Sequence, residues 1–309
     1  MQKLFSSVHL SHHKTLRRFD YMANSAAQID ERRKQFLEQQ QKLKTRMNKV
    51  KHKIAVISGK GGVGKSTVTV NLAVAFATHG HANYVGILDA DIHGPSVPKI
   101  LGLTGQKLQV GPDDVFPVSG PLGIKVVSMD FLLPDAEAPV IWRGPLKMTA
   151  IRQFLSDIVW GDLDVLLIDL PPGTGDEPLS VAQLLPEMDG VVIVTIPSEL
   201  SQIVVRKAVT FTKRLGMPII GVVENMSGFV CPHCGTKTDI FQSGGGHRIA
   251  EELNIPFLGS IPIDQKISED SDKGVSFIIE HSDSASSKVF MEIVDKVEGF
   301  LESKEKSMQ

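Results

Sequence analysis

Gly59-Lys60-Gly61-Gly62-Val63-Gly64-Lys65-Ser66-Thr67 stands between an apolar run at residues 54–57 and a predicted helix at residues 68–78. A strand, a glycine-rich loop and a helix in this order match the phosphate-binding pattern G-x-x-x-x-G-K-[ST]. The glycines let successive backbone N–H groups converge on an anion, and the helix start adds the positive end of its dipole. Lys65 is expected to reach the β- and γ-phosphates of ATP, and Ser66 to bind Mg²⁺. Lys60 is a second lysine that a plain phosphate loop does not need.

The composition of the 309 residues, 42% hydrophobic and 22% charged with a net charge of −2, is typical of a soluble globular protein. The small net charge does not favour nucleic acid or an anionic membrane as a partner. No run of about 18 apolar residues predicts a membrane span. The two cysteines, Cys231 and Cys234, cannot build a disulfide scaffold and suit a reducing compartment, so we predict a cytoplasmic location.

The N-terminal part differs in composition from the rest of the chain. Residues 1–24 are predicted to form a flexible leader. Its first 22 residues are basic, with no acid before Asp20, which leaves a mitochondrial transit peptide, a disordered tail and a later start at Met22 as alternatives. Residues 25–52 predict a basic amphipathic helix, because apolar residues recur there at intervals of seven. These apolar residues are Ile29, Phe36, Leu43 and Val50.

From residue 53 to residue 305, apolar runs alternate with helical segments, which predicts one P-loop ATPase domain. The runs lie at residues 54–58, 85–89, 124–129, 165–169, 191–195, 219–224 and 257–261. They are continuous in Val, Ile and Leu, as in strands that are covered on both faces. The fold class is therefore α/β, with a doubly wound, mainly parallel sheet, helices on both faces and a helical N-terminal extension. Functional groups are expected at the carboxyl ends of the strands.

Carboxylates follow two of the predicted strands. In Asp89-Ala90-Asp91, we expect Asp89 to hold Mg²⁺ through its water shell and Asp91 to orient the attacking water. The alternative is that Asp91 only caps a helix that starts at Ser96. Asp169 ends another apolar run, in the position of an Mg²⁺-supporting carboxylate. The sequence Pro171-Pro172-Gly173-Thr174-Gly175-Asp176 comes next and predicts a loop that senses the nucleotide.

These motifs, with Glu224-Asn225-Met226-Ser227 and Cys231-Pro232-His233-Cys234-Gly235, resemble the Mrp/ApbC (nucleotide-binding-protein-like) iron–sulfur carriers of the deviant-Walker-A P-loop ATPases. The resemblance covers residues 53–280. It implies a homodimer with two nucleotides at the interface, in which Lys60 reaches the nucleotide of the other subunit. It also implies that Asn225 binds adenine and that residues 260–262 line the base. The residues then expected to bind nucleotide are Gly59, Lys60, Gly61, Gly62, Val63, Gly64, Lys65, Ser66, Thr67, Asn225 and Pro262, and those expected to act in hydrolysis are Lys60, Lys65 and Asp91.

Cys231 and Cys234 have the spacing of a pair that holds one metal centre, but a closed site needs four ligands. Two chains on a two-fold axis would supply four thiolates. On residue chemistry alone a bridging [4Fe–4S] cluster and a bridging Zn²⁺ satisfy this count equally. The resemblance favours the cluster. A thioredoxin-like redox pair is disfavoured, because no strand-to-helix turn follows the motif.

The sequence thus predicts an ATP-binding, slowly hydrolysing homodimer that carries a [4Fe–4S] cluster and transfers it to apo-proteins. The alternative is a deviant-Walker-A positioning or scaffolding ATPase with a structural zinc at the cysteine pairs. Such relatives use a membrane-seeking C-terminal helix or a DNA-binding surface, and neither is evident in the sequence. We therefore expect apo iron–sulfur proteins as recipients, and neither nucleic acid nor a membrane as a partner.

Overall fold

The computed structural model describes residues 31, 33–92, 94–112, 114–132, 144–184, 188–231, 233–234 and 236–308. The chain divides into two compact units, Met1–Thr45 and Arg46–Gln309. In the first unit the described residues, 31 and 33–45, are helical, and this helix (α1) covers residues 33–47. The predicted leader at residues 1–24, with its transit-peptide alternative, and the predicted helix start at residues 25–30 lie outside the described residues.

The predicted helix at residues 25–52 is too long at its C-terminal end. The helix ends at residue 47, and strand β1 begins at Val50. Val50 pairs with Leu163 and Lys53 with Leu166 in a parallel ladder. Val50 was assigned to the apolar stripe of the helix, but its side chain is buried in the sheet. An apolar residue at a helical interval is equally compatible with a buried strand, so Val50 was assigned to the helix in error.

Eight strands form the central sheet, in the order β12-β9-β8-β1-β7-β2-β6-β5. All neighbouring pairs are parallel except β5 and β6. This confirms the predicted mainly parallel α/β sheet. The strands are β1 (Val50–Ser58), β2 (Val85–Asp89), β3 (Gln109–Val110), β4 (Val115–Phe116), β5 (Val118–Ser119), β6 (Lys125–Ser128), β7 (Leu163–Asp169), β8 (Gly190–Thr195), β9 (Ile219–Glu224), β10 (Phe229–Val230), β11 (Lys237–Thr238) and β12 (Phe257–Ser260). Two separate hairpins consist of β3 with β4 and β10 with β11.

Helices pack around this sheet, and α2 is buried along nearly its whole length. It continues as a π-helical turn at Ala77–His81 and packs against α10. The helices after α1 are α2 (Lys65–Phe76), α3 (Val97–Ile100), α4 (Gly144–Ser156), α5 (Asp176–Leu184), α6 (Glu199–Arg214), α7 (Gly245–Glu252), α8 (Gln265–Lys273), α9 (Phe277–Glu280) and α10 (Ala285–Met308). Within the described ranges no helix combines the length and the apolar character that crossing a membrane requires.

Six parallel strands of the sheet end in buried polar residues. These residues are Ser58, Asp89, Ser128, Asp169, Thr195 and Glu224, and each is at most 3% exposed. Because the carboxyl ends of parallel strands share one edge of the sheet, the six side chains face one region. A polar group is buried at a cost unless it finds a hydrogen-bond partner, so this edge is where functional contacts are expected.

Candidate nucleotide site and cysteine hairpin

The phosphate loop connects β1 to α2, as the sequence predicted. The first helical hydrogen bond runs from Val68 N to Gly64 O at 2.9 Å. Gly64 has a φ of +78°, and a Cβ at this position would overlap the amide of Asn225. A Cβ on Gly59 would overlap Val204 on α6. Glycine is therefore required at both ends of the loop, because neighbouring elements approach the backbone too closely for a side chain.

Three side chains at the start of α2 meet on the carboxylate of Asp169. Lys65 Nζ lies 2.7 Å from Asp169 Oδ1. Ser66 Oγ donates to Oδ2 at 2.5 Å, and Thr69 Oγ1 donates to Oδ1 at 2.8 Å. Asp169 is fully buried and Lys65 is 6% exposed. The residues that the sequence assigned to phosphate and Mg²⁺ are thus brought together around one buried carboxylate.

Thr69 is a site residue that the sequence reasoning missed. It lies one helical turn after Lys65, so the two side chains share a face of α2. Its hydroxyl also lies 3.0 Å from the backbone oxygen of Lys65. The spacing could have identified Thr69, because a hydroxyl four residues after the loop lysine lies on the same face of the helix and faces the same strand ends.

Asp89 and Asp91 have different surroundings, although they are two residues apart. Asp89 pairs with Asp169 in the ladder between β2 and β7, and it accepts from Ser128 Oγ at 3.1 Å. Burial raises the pKa of the Asp89 carboxyl well above its usual range, and the charge of Asp169 raises it further, whereas Lys65 opposes this shift. Asp91 is partly exposed.

Asp91 does not cap the helix after Ser96, which was the alternative to its functional role. The backbone N–H of Val97 at the start of α3 donates to Asp89 Oδ2 at 3.4 Å. Asp91 Oδ1 instead accepts from Gly94 N at 3.3 Å, within its own loop. The predicted role of Asp91 in orienting water stays a prediction.

A cavity of about 240 Å³ borders the phosphate loop, and Asn225 and Pro262 are the two residues expected at the adenine that line it. Asn225 is fixed there by donating from Nδ2 to Val63 O at 2.9 Å. Pro262 lines the cavity, whereas Ser260 turns away and donates to Glu224 Oε1 at 3.4 Å. The remaining lining residues are Gly64, Thr67, Met226, Phe241, Ile263, Asp264, Ile267, Ser268, Ser271 and Phe290. Apolar walls with a few polar groups, among them the fixed amide of Asn225, suit a flat heterocycle.

The loop at residues 171–176 is fastened to the end of β1 beside the phosphate loop. Leu170 N donates to Val56 O at 3.1 Å, and Gly173 N donates to Ser58 O at 2.8 Å. Ser58 Oγ in turn donates to the backbone oxygen of Lys60 at 2.9 Å. The predicted nucleotide-sensing loop and the second lysine therefore share one support, the end of β1.

Glu224 carries a hydrogen-bond network that the sequence reasoning did not find. Its carboxylate is fully buried and accepts from Gly244 N at 3.0 Å, from Gly246 N and from Ser227 Oγ. It therefore binds the first N–H groups of α7 and joins that helix to the end of β9. The three successive glycines at residues 244–246 could have indicated this network, because glycines let the backbone approach a carboxylate closely.

Cys231 and Cys234 lie in the hairpin that β10 and β11 form. The hairpin closes with a hydrogen bond from Cys231 N to Thr236 O at 3.0 Å. Cys231 is partly buried and Cys234 is exposed. The Sγ of Cys234 lies 3.2 Å from Thr236 Oγ1, and hydrogen bonding to Thr236 lowers the pKa of the Cys234 thiol. An exposed thiol with a lowered pKa is suited to binding a metal as the thiolate.

The hairpin is attached to a wall of the cavity beside the phosphate loop. Phe229 at its base forms an isolated parallel bridge with Ile263, and Ile263 N donates to Gly228 O at 2.8 Å. Ile263 and its neighbour Pro262 line the cavity. The predicted base site and the cysteine pair are thus connected by a short stretch of paired backbone.

Comparisons with known proteins give a consistent family. A family model described as ParA: NUBPL iron-transfer P-loop NTPase matches residues 49–298. An iron-sulfur cluster carrier protein of Methanocaldococcus jannaschii is 52% identical over 269 residues, which cover 86% of this chain and 92% of that protein. Among solved structures, a nucleotide-binding protein of Archaeoglobus fulgidus in complex with ADP is 45% identical with a TM-score of 0.68, covering 76% of this chain and 91% of the other.

A more distant likeness concerns the fold alone. The cell-division protein MinD of Aquifex aeolicus is 20% identical with a TM-score of 0.59, covering 80% of this chain and 97% of the other. At this identity the shared sheet and loop are comparable, whereas the activity is not.

Proposed function

The chain belongs to the NUBPL iron-transfer family of P-loop NTPases, and on that premise we propose that it carries an iron–sulfur cluster under the control of ATP. The cluster is a [4Fe–4S] cargo held by Cys231 and Cys234 of two subunits and passed to apo-proteins. The observation that carries this proposal is the attachment of the exposed cysteine hairpin to the wall of the cavity beside the phosphate loop. A nucleotide in this cavity would touch the backbone from which the cysteines extend.

The phosphate loop supports ATP as the nucleotide partner. A triphosphate placed on the N–H groups of residues 61–66 would compete with Asp169 for Lys65 Nζ. The oxygens of Ser66, Asp169 and Asp89 form a hard donor set that fits Mg²⁺. A bound Mg²⁺ would neutralise part of the negative charge of the phosphates. Lys65 would then change partner from Asp169 to the phosphates, and Asp169 would keep its bonds from Ser66 and Thr69.

Hydrolysis is proposed to depend on Asp91 and Lys60. Asp91 lies in a partly exposed loop next to Asp89, where its carboxylate can hold the attacking water. Lys60 follows the first loop glycine, and we propose that it reaches the nucleotide of the partner subunit in a homodimer. Closing the dimer over two nucleotides would bring the two cysteine hairpins together. Slow hydrolysis would then separate them and release the cargo.

Nucleotide binding can affect the cysteines only if it moves the hairpin that carries them. A short stretch of backbone connects the cavity to this hairpin. A base that fills the cavity contacts Pro262 and Ile263. Ile263 is hydrogen-bonded to the backbone of Gly228 and forms a β-bridge with Phe229. Cys231 follows two residues later. A displacement of the 262–263 segment therefore moves the base of the hairpin without crossing the hydrophobic core.

The test is anaerobic reconstitution of the full chain with iron and sulfide, followed by transfer to an apo-enzyme with and without MgATP. We expect about four irons per dimer and a transfer rate that MgATP changes. In Cys231→Ala the brown chromophore and its iron should be lost while ATP still binds. In Lys65→Ala the cluster should still assemble, but transfer should no longer respond to MgATP. Iron retained by Cys231→Ala would refute the ligand role, and an unchanged MgATP response in Lys65→Ala would refute nucleotide control.

The alternative of a positioning ATPase with a structural zinc is not proposed. Its support is the likeness to MinD, which at 20% identity shows the fold alone. The iron content of the anaerobically purified chain separates the two functions, because a zinc-bridged scaffold would hold no iron.

A further inference from the structure

Two histidines lie at the edge of the sheet opposite the phosphate loop. The π-helical turn at Ala77–His81 ends α2 and contains His79 and His81 on either side of Gly80, whose φ of +117° requires glycine. His81 contacts Asp164 at the start of β7, whereas the phosphate loop contacts Asp169 at its end. Five residues of strand separate these contacts by about 16 Å. This cluster is therefore independent of the nucleotide site.

His79 faces two carboxylates of α10. Its Nε2 lies 3.3 Å from Asp295 Oδ1 and 3.5 Å from Glu298 Oε2. One ligand atom from each of these three residues lies within 4.8 Å of the other two. Asp295 and Glu298 are three residues apart on one helix, so their carboxylates share a face.

The two separations from His79 Nε2 match the edges of a metal coordination polyhedron. Bonds of about 2.1 Å from a tetrahedral ion to nitrogen and oxygen place neighbouring ligand atoms about 3.4 Å apart. His79 Nε2 already has this separation from each carboxylate oxygen. A central ion could be accepted by small rotations of three partly exposed side chains.

A second layer of contacts orients Glu298. His81 Nε2 lies 2.9 Å from Glu298 Oε1, and His81 Nδ1 lies 2.7 Å from Asp164 Oδ2. His81 therefore holds one oxygen of Glu298 and leaves the other, Oε2, facing His79. Carboxylates that bind a metal are themselves hydrogen-bonded by outer groups, which fix the orientation of the ligands.

Carboxylates outnumber imidazoles in this cluster. Asp164, Asp295 and Glu298 surround His79 and His81. A cation bound between His79 and the two carboxylates of α10 would be held by ligands of complementary chemistry.

We propose that His79, Asp295 and Glu298 bind a divalent transition-metal ion, zinc by its ligand chemistry, with His81 as a positioning residue. One imidazole and two carboxylates suit zinc, whereas Mg²⁺ prefers oxygen ligands alone. The ion joins the C-terminal end of α2, the helix that starts at the phosphate loop, to α10. It is a different site from Cys231 and Cys234, and it needs only one chain.

The experiment uses the tag-free full chain with Cys231→Ser and Cys234→Ser, freed of metal by a chelator and titrated calorimetrically with zinc. We expect one zinc per chain. His79→Ala and Asp295→Asn should weaken binding at least tenfold, and His81→Ala by about tenfold, as outer-layer substitutions do. The matched control is His247→Ala, which removes an exposed histidine 3.7 Å from Glu251 on α7 and should leave binding unchanged.

Two further readouts separate a built site from a surface ion pair. Zinc should raise the thermal midpoint of the cysteine-free parent and of His247→Ala, but not of His79→Ala. Cobalt in place of zinc should give the strong visible absorption of a tetrahedral site, and this absorption should be lost with His79. Circular dichroism checks that each variant is folded. The proposal is overturned if the cysteine-free parent binds no zinc at about 100 μM, well above typical site affinities, or if His79→Ala and His247→Ala bind equally.

Discussion

The phosphate loop and the cysteine hairpin differ in how completely one chain builds them. The loop lies against buried strand ends, and Lys65 is already paired there with the buried carboxylate of Asp169. The hairpin rests on strands of two residues each and presents Cys234 to solvent. One chain thus holds Lys65, Ser66 and Asp169 together by folding alone, whereas it offers only two cysteines. The proposed four-thiolate site would therefore depend on assembly more than the phosphate-loop cluster does.

The largest expected effect tests whether the loop is part of the folded framework. Lys65→Met removes the cation beside a fully buried carboxylate. Breaking such a pair typically lowers the free energy of unfolding by about 3–5 kcal/mol. Chemical denaturation measures this change, and ATP binding should be lost at the same time.

The control for Lys65→Met is the double variant with Asp169→Asn. It leaves no unpaired charge, so most of the lost stability should return while ATP binding stays absent. A double variant as unstable as Lys65→Met would mean that the packing of the lysine, not its charge, supports the loop.

The next effect concerns Glu224, which ties α7 to β9 between the two regions. Glu224→Gln keeps the shape but replaces an acceptor with an amide that cannot accept from Gly244, Gly246 and Ser227 together. The loss of buried charged hydrogen bonds is expected to cost about 1–3 kcal/mol in unfolding free energy. Glu252→Gln is the matched control, because Glu252 pairs with Arg206 at the surface and such pairs contribute at most about 1 kcal/mol. Equal losses of unfolding free energy in the two variants would mean that the buried hydrogen bonds of Glu224 contribute no more than a surface ion pair.

These examples show which parts the sequence could predict. Asp169 was found because an apolar run that ends in Asp is a local pattern, and the strand itself was confirmed. Glu224 was not assigned a role, because its partners lie 20 and 22 residues further along the chain and only the fold brings them together. The same holds for His81 and Glu298, which are 217 residues apart. Local patterns predict elements and their ends, whereas networks between elements depend on packing.

A smaller effect, on the pH dependence of the unfolding free energy, is expected from replacing His52 in β1. This strand leads into the phosphate loop. Burial lowers the pKa of His52, and its Nδ1 is buried without a hydrogen-bond partner among the described residues. The unfolded chain therefore takes up the proton first as the pH falls below about 6.5, and the free energy of unfolding decreases there. His52→Gln should remove this part of the pH dependence, measured as the difference between the two unfolding curves from pH 7.5 to 5. His247→Gln, at an exposed site, should leave the curve unchanged. A His52→Gln curve parallel to that of the parent would contradict the inference.

The smallest expected effect on folding comes from the hairpin. Cys234 is exposed, and serine keeps a polar group within reach of Thr236, so Cys234→Ser should change the free energy of unfolding by less than about 0.5 kcal/mol. The same variant should lose all cluster iron on reconstitution, because one missing thiolate per chain leaves the dimer with two. Denaturation and iron content measured on one preparation give both numbers. If Cys234→Ser unfolded as easily as Glu224→Gln, the hairpin would belong to the folded framework, and the contrast with the phosphate loop would fail. If it stayed fully stable and kept its iron, the ligands would have to come from elsewhere in the chain.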